Sequence, residues 1–172
     1  TLVTGAGGRA DAYTTEDVTV FWETVPSEFL PMALWLEADR MASLRLDKVA
    51  FEGERAAAIE ARRERDDEPY GRLSEIVNGH AFTAHPYKHP TIGTMTGLEA
   101  VSLDEVRAFY RTFYVPANAT VVIAGDVDPG RAVELATGYF GRISGPSSPV
   151  PRDMPAEPAQ KSPRRLVVEE SW

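Results

Sequence analysis

A chain of 172 residues is the size of one domain, or of one domain with a linker, and is long enough to bury a core without disulfide or metal staples. Its apolar share of 43% and charged share of 26% are ordinary for a globular protein and exclude disordered, collagenous and membrane-spanning classes. Eighteen Lys and Arg against 26 Asp and Glu, a net charge of -8, argue against a broad nucleic-acid or anionic-lipid footprint, and the absence of cysteine leaves only His and carboxylates to hold any metal.

The chain opens on Thr1 with no charged segment ahead of an apolar stretch, and reads as a processed chain or an excised fragment. Thr1 to Gly8 superficially matches the strand and glycine loop of a dinucleotide site. That site needs a helix directly after the glycines, whereas strand material comes next here, so the run reads as a glycine turn entering a strand. Ala10–Thr14 and Val18–Thr24 are β-branched and aromatic around Thr15, Glu16 and Asp17, which predicts a hairpin. Ser27 is expected to cap a helix with a buried stripe of Phe29, Met32, Ala33, Trp35 and Leu36. Asp47 is expected to cap a second helix running to about Arg65, and Tyr70 to Ala84 reads as a third. Ser102-x-x-Glu105 is a capping box that starts a helix from Leu103 to Tyr114. Thr120 to Ala124 is a continuous apolar strand, and Asp128-Pro129 opens a last helix ending near Phe140-Gly141.

Strands that do not alternate regularly with helices predict an α+β fold, a mixed and mostly antiparallel sheet with helices packed on one face. Residues 144–164 hold six prolines and read as an extended linker, so the folded unit is expected over 1–143. Residues 165–172 then begin a following domain or a strand returning to the sheet.

Chemistry-bearing residues are few. His85 and His89 would share a helix face, but Pro86 and Pro90 forbid a helix there, which points to structural roles for both and for His80. The segment from Phe51 to Arg65 is dense in charge yet poorly spaced for i,i+4 ion pairs, with Glu60 facing Glu64.

Larger patterns carry a resemblance. Gly7-Gly8-x-x-x-Ala12-Tyr13-Thr14-Thr15-x-Asp17, Leu34-x-Leu36-x-Ala38-Asp39-Arg40-Met41, Phe51-x-x-Glu54-Arg55 and Arg62-Arg63 before Pro69-Tyr70-Gly71 occur in that order. Phe82-x-x-His85-Pro86-Tyr87, Phe109-Tyr110-x-x-Phe113-Tyr114-x-Pro116-x-Asn118 and Gly125-Asp126-Val127-Asp128 come after them. Together they resemble the M16 metallopeptidases, the pitrilysin, insulinase and mitochondrial processing peptidase group, over about 7–143.

The resemblance implies a zinc metalloendopeptidase acting on peptides or unfolded polypeptides between two domain halves. Its metal is held by an H-x-x-E-H motif and a later Glu, the motif's own Glu activating water. No H-x-x-E-H occurs in this chain, and the family's spacing puts it upstream of Thr1, so the fold is expected to be an N-terminal-type domain truncated on that side. The third-ligand position is Ala61, either a natural loss or an engineered replacement, and Glu60 lies about 100° away around the helix. Glu54 matches a residue that supports a ligand by hydrogen bonding from behind it. No catalytic or metal residue is therefore expected in this chain, and no zinc bound to it alone.

Asp11, Ala12, Tyr13 and Thr14 match an edge strand that pairs with substrate backbone, with Asp11 standing where the family usually has Asn. The implied partners are peptide substrate and a second M16 domain or subunit, or self-association through an exposed sheet edge, with no nucleic acid and no membrane span. A noncatalytic M16 partner or peptide-binding scaffold remains the alternative.

Overall fold

The computed structural model describes residues 2–145 and 149–169. In chain order the elements are α1 (Leu2–Gly5), β1 (Arg9–Thr14), β2 (Thr19–Thr24), α2 (Leu30–Ser43), α3 (Lys48–Asp67), α4 (Leu73–Ala81), α5 (Met95–Ala100), α6 (Leu103–Phe113) and α7 (Pro129–Phe140). They divide between two compact units, one of Thr1–Leu46 with Leu103–Val150, the other of Asp47–Ser102 with Pro151–Trp172. The fold is α+β, helix-rich with an antiparallel two-stranded sheet.

In the first unit the glycine run closes a helix. The Gly8 amide donates to Val3 O at 2.9 Å and the Gly7 amide to Thr4 O at 3.1 Å, with Gly7 at φ +76°, which is a Schellman stop. A helix before the glycines and a strand after them is the reverse of a dinucleotide loop. The hairpin forms as expected, in the register Arg9↔Thr24 to Thr14↔Thr19, and the Thr15 amide closes its turn on Val18 O at 2.8 Å.

Ser27 does not cap α2. Pro26 precedes a single 3-10 turn at Ser27–Phe29, and α2 starts only at Leu30, with Pro31 in the first turn, where its missing N–H costs nothing. Phe29, Met32, Ala33 and Leu36 of the expected stripe are half-buried, but the most buried residues are Leu34 and Ala38, while Trp35 is 45% exposed, so the phase differs. This buried side packs against α7, where Ala132 is buried. Asp128 caps α7 by accepting from the Arg131 amide at 2.7 Å, as its sequence predicts.

Tyr110, on α6, closes the other end of α2: its hydroxyl lies 2.7 Å from both Arg40 O and Met41 O and accepts from the Leu44 amide at 3.3 Å. Residues 120–124 are not a strand among the described residues, with Val122 83% exposed. An apolar run becomes a strand only where a neighbour satisfies its backbone, and both described strands pair with each other.

In the second unit, Asp47 caps α3 by accepting from the Ala50 amide at 2.9 Å. Ion pairs do form along this charge-dense helix, at i,i+3 between Glu52 and Arg55 and between Glu60 and Arg63, and Arg62 pairs with Asp66 at i,i+4. The third helix is shorter than expected, because Tyr70 is left-handed at φ +63° and a Cβ on Gly71 would sit 1.7 Å from Arg65 O. Its end at Ala81 leaves the Thr83 to His85 amides free to bond elsewhere.

Arg62 is 4% exposed and binds Asp66 Oδ2 at 2.9 Å, Gly93 O at 2.8 Å and Glu75 Oε2 at 2.6 Å. It therefore ties α3 to α4 and to the turn before α5, a short helix not expected from the sequence. The described residues of 144–169 form no helix or strand, including Arg165 to Glu169, where strand material was expected. Residues 146–148 and 170–172 of those segments lie outside the described residues.

Candidate functional site

The residues singled out for substrate pairing lie together on β1, and all six residues of that strand are exposed. Only β2 pairs with it among the described residues, so one edge of β1 is open. The turn bond between Thr15 and Val18 sets the alternation: Tyr13 and Asp11 exchange backbone bonds with β2, while Ala10, Ala12 and Thr14 turn theirs to the open edge. The Ala12 amide, facing that way, is met by Asp11 Oδ1 at 2.8 Å. The strand's own side chain thus covers one donor of the edge.

Cross-strand partners share a face, which puts Ala12 with Phe21 and Ala10 with Glu23 on one side of the hairpin. On that side Arg40 lies over the Phe21 ring at 4.6 Å, and Tyr114 meets the same ring edge-on at 6.3 Å. Arg40 also pairs with Glu37 at 2.9 Å and lies 3.8 Å from Glu23. Burial, followed by the hydrogen bond and charge of Glu37, pushes the Glu23 carboxyl up to about 8, against the pull of Arg40. The opposite face carries Asp11, Tyr13 and Trp22, with Tyr13 55% and Trp22 39% exposed.

Glu54 and Ala61 are both exposed on α3, seven residues apart and so on nearly the same line of the helix. Glu60 is drawn into a pair with Arg63 at 3.4 Å. His85 is structural: its Nδ1 accepts from the Tyr87 amide at 3.3 Å, and its ring stands edge-on to Tyr87 at 4.4 Å. Among the described residues no three His, Asp or Glu converge on one point, so their donors do not fit a zinc centre.

Two features of the second unit have no counterpart among the sequence-based expectations. Glu157 accepts from the Thr83 amide and hydroxyl at 2.8 and 2.7 Å, the Ala84 amide at 2.8 Å and the His85 amide at 2.9 Å. A cavity of about 700 Å³ lies between α4, through Leu73, Ile76 and Val77, and the segment with Gln160, Arg164 and Leu166. A lone Glu in a Pro-rich stretch carries no local signal for either.

Comparison with known proteins places this geometry in a family. The family model described as Insulinase (Peptidase family M16) matches residues 1–95, and that of the Peptidase M16 inactive domain matches residues 100–171. The zinc protease PqqE of Helicobacter pylori is 31% identical over 169 residues, 97% of this chain and 38% of that protein. The crystal structure of a protease from Helicobacter pylori superposes with a TM-score of 0.88 at 31% identity, covering 91% of this chain and 38% of that one. The first half of the periplasmic protease PqqL from Escherichia coli shares the fold, with a TM-score of 0.73 at 21% identity, over 85% of this chain and 32% of that one. The chain belongs to peptidase family M16, a family of zinc proteases, and spans less than two fifths of the length of these relatives. No described helix is long and apolar enough to cross a membrane.

Proposed function

We propose that this chain is part of an M16-type zinc metalloendopeptidase that cleaves peptides or unfolded polypeptides in a closed chamber, and that it supplies a substrate-pairing edge and no metal ligand. The open edge of β1 carries the reading. An extended peptide laid beside it would pair with the outward backbone groups of Ala10, Ala12 and Thr14, as a third strand of the hairpin. Asp11 must then release the Ala12 amide, which it now covers, while Tyr13 offers an aromatic ring on the strand next to the peptide.

On this reading the zinc belongs to the whole protein. Glu54 would support a ligand held elsewhere, Ala61 supplies no donor atom, and the chain alone is inactive. On the same reading residues 1–143 would be the partial peptidase domain, 144–164 a linker, and 165–172 the start of a further domain. The remaining surfaces would be covered by a second M16 domain or subunit, or by self-association.

A noncatalytic partner or peptide-binding scaffold is the second reading, favoured by Ala61 at the aligned third-ligand position. Zinc content and hydrolysis of a quenched peptide, measured on the full-length protein with Ala61 and with Ala61→Glu, separate the two. Stoichiometric zinc and cleavage on introducing Glu support the peptidase. Neither in either form, with peptide still bound, supports the scaffold.

A further inference from the structure

The Pro-rich segment is extended but not loose. At one end of residues 157–164 a single carboxylate, that of Glu157, gathers three consecutive backbone amides and a hydroxyl. At the other, Arg164 Nη1 donates to His80 O at 2.7 Å and Ala81 O at 3.1 Å, two of the carbonyls left over at the end of α4. The segment contributes Gln160 and Arg164 to the cavity beside α4, which Leu166 and Val168 line further along the chain.

Successive amides converging on one point make an anion cradle. Phe82 turns extended at φ -103° and ψ 135° and Pro86 disfavours helix at His85, so these amides lie past the end of α4 and stay available. Two oxygens shared among four donors, at 2.7 to 2.9 Å, match the bidentate shape of a carboxylate.

We propose that the amides of Thr83, Ala84 and His85 with the Thr83 hydroxyl form a carboxylate receptor filled in cis by Glu157, and that this clasp holds residues 157–164 as a strap that brings Gln160 and Arg164 to the cavity beside α4. The His85 amide, followed by the Thr83 hydroxyl and the Ala84 and Thr83 amides, draws the Glu157 carboxyl down to about 2. The four donors thus favour the ionised carboxylate, the form that closes the strap. What opens it is a competing carboxylate, such as a peptide C-terminus or an acidic side chain, taking the place of Glu157.

Hydrogen exchange read residue by residue on the full chain, with limited trypsin digestion, tests this in Glu157→Ala and Glu157→Gln. Glu157→Ala is expected to speed exchange at Thr83, Ala84 and His85 by about tenfold or more and to expose cleavage after Lys161 and Arg165, with Glu157→Gln intermediate. Sodium acetate, compared with sodium chloride at equal concentration, is expected to slow the exchange of those amides again in Glu157→Ala while leaving the strap open to trypsin. Unchanged exchange and cleavage in both variants would overturn the clasp, and acetate acting no differently from chloride would overturn the receptor. An equal rise in the amides of α6, in the other unit, would show Glu157 acting on the whole fold and overturn the strap.

Discussion

Arg62 and Glu75, thirteen residues apart, meet in an ion pair of 2.6 Å with the guanidinium 4% exposed, and the same guanidinium holds Asp66 and the Gly93 carbonyl. Removing the cation strands two carboxylates that it now satisfies. Arg62→Met is expected to destabilise the protein by about 3 kcal/mol, and Glu75→Gln, which leaves the bond to Asp66, by about 1–2 kcal/mol. Urea unfolding of the two variants and their double mutant checks both values and the coupling between them.

Glu23 ties stability to pH. Its carboxyl is held up to about 8 against an ordinary 4.5, so the folded state binds this proton more tightly than the unfolded chain. The stabilisation is complete below about 4.5 and is lost as pH rises toward about 8. Glu37 and Arg40 are the charged groups beside it. Urea midpoints are expected to fall over this interval in the natural chain and to change much less in Glu23→Gln; equal slopes would refute the assignment.

Tyr110→Phe tests the cap on α2. The ring stays, but the hydroxyl that meets Arg40 O, Met41 O and the Leu44 amide is lost. A cost of about 1–2 kcal/mol is expected, with faster exchange confined to the last turn of α2 and the Leu44 amide.

The proposed peptide-pairing edge is tested without touching the hairpin's own ladder. Ala12→Pro removes an amide that faces away from β2, so unfolding should change little while a bound peptide loses one backbone partner. In the full-length protein about tenfold weaker peptide binding is expected by calorimetry. Unchanged affinity would move the peptide site away from β1.

What the sequence disclosed was chemistry confined to a few neighbouring residues. Asp47 and Asp128 cap their helices as expected, because a cap involves a side chain and an amide three positions on. The hairpin was legible for the same reason, since Thr15 to Val18 close it locally. The phase of α2 was not, because Leu34 and Trp35 fit the same period equally well and only the packing on α7 chooses between them. Val121 and Val122 carry strand propensity without revealing whether a partner lies beside them. For the candidate site, Asp11 to Thr14 could be placed on a strand, but not the carboxylate that covers the Ala12 amide. Glu157 acts on residues more than seventy positions away, a distance over which no local pattern survives.

A Cβ at Gly8 would stand 2.5 Å from the Thr24 carbonyl oxygen and 2.8 Å from Val25 Cγ1, while the Gly8 amide itself ends α1. The residue that stops the helix is thus also the one over which the outgoing end of β2 passes, and Val3 is buried beside it. Helix and hairpin meet there so closely that only glycine fits between them. Any side chain placed at Gly8 would therefore disturb the end of the helix and the end of the hairpin together.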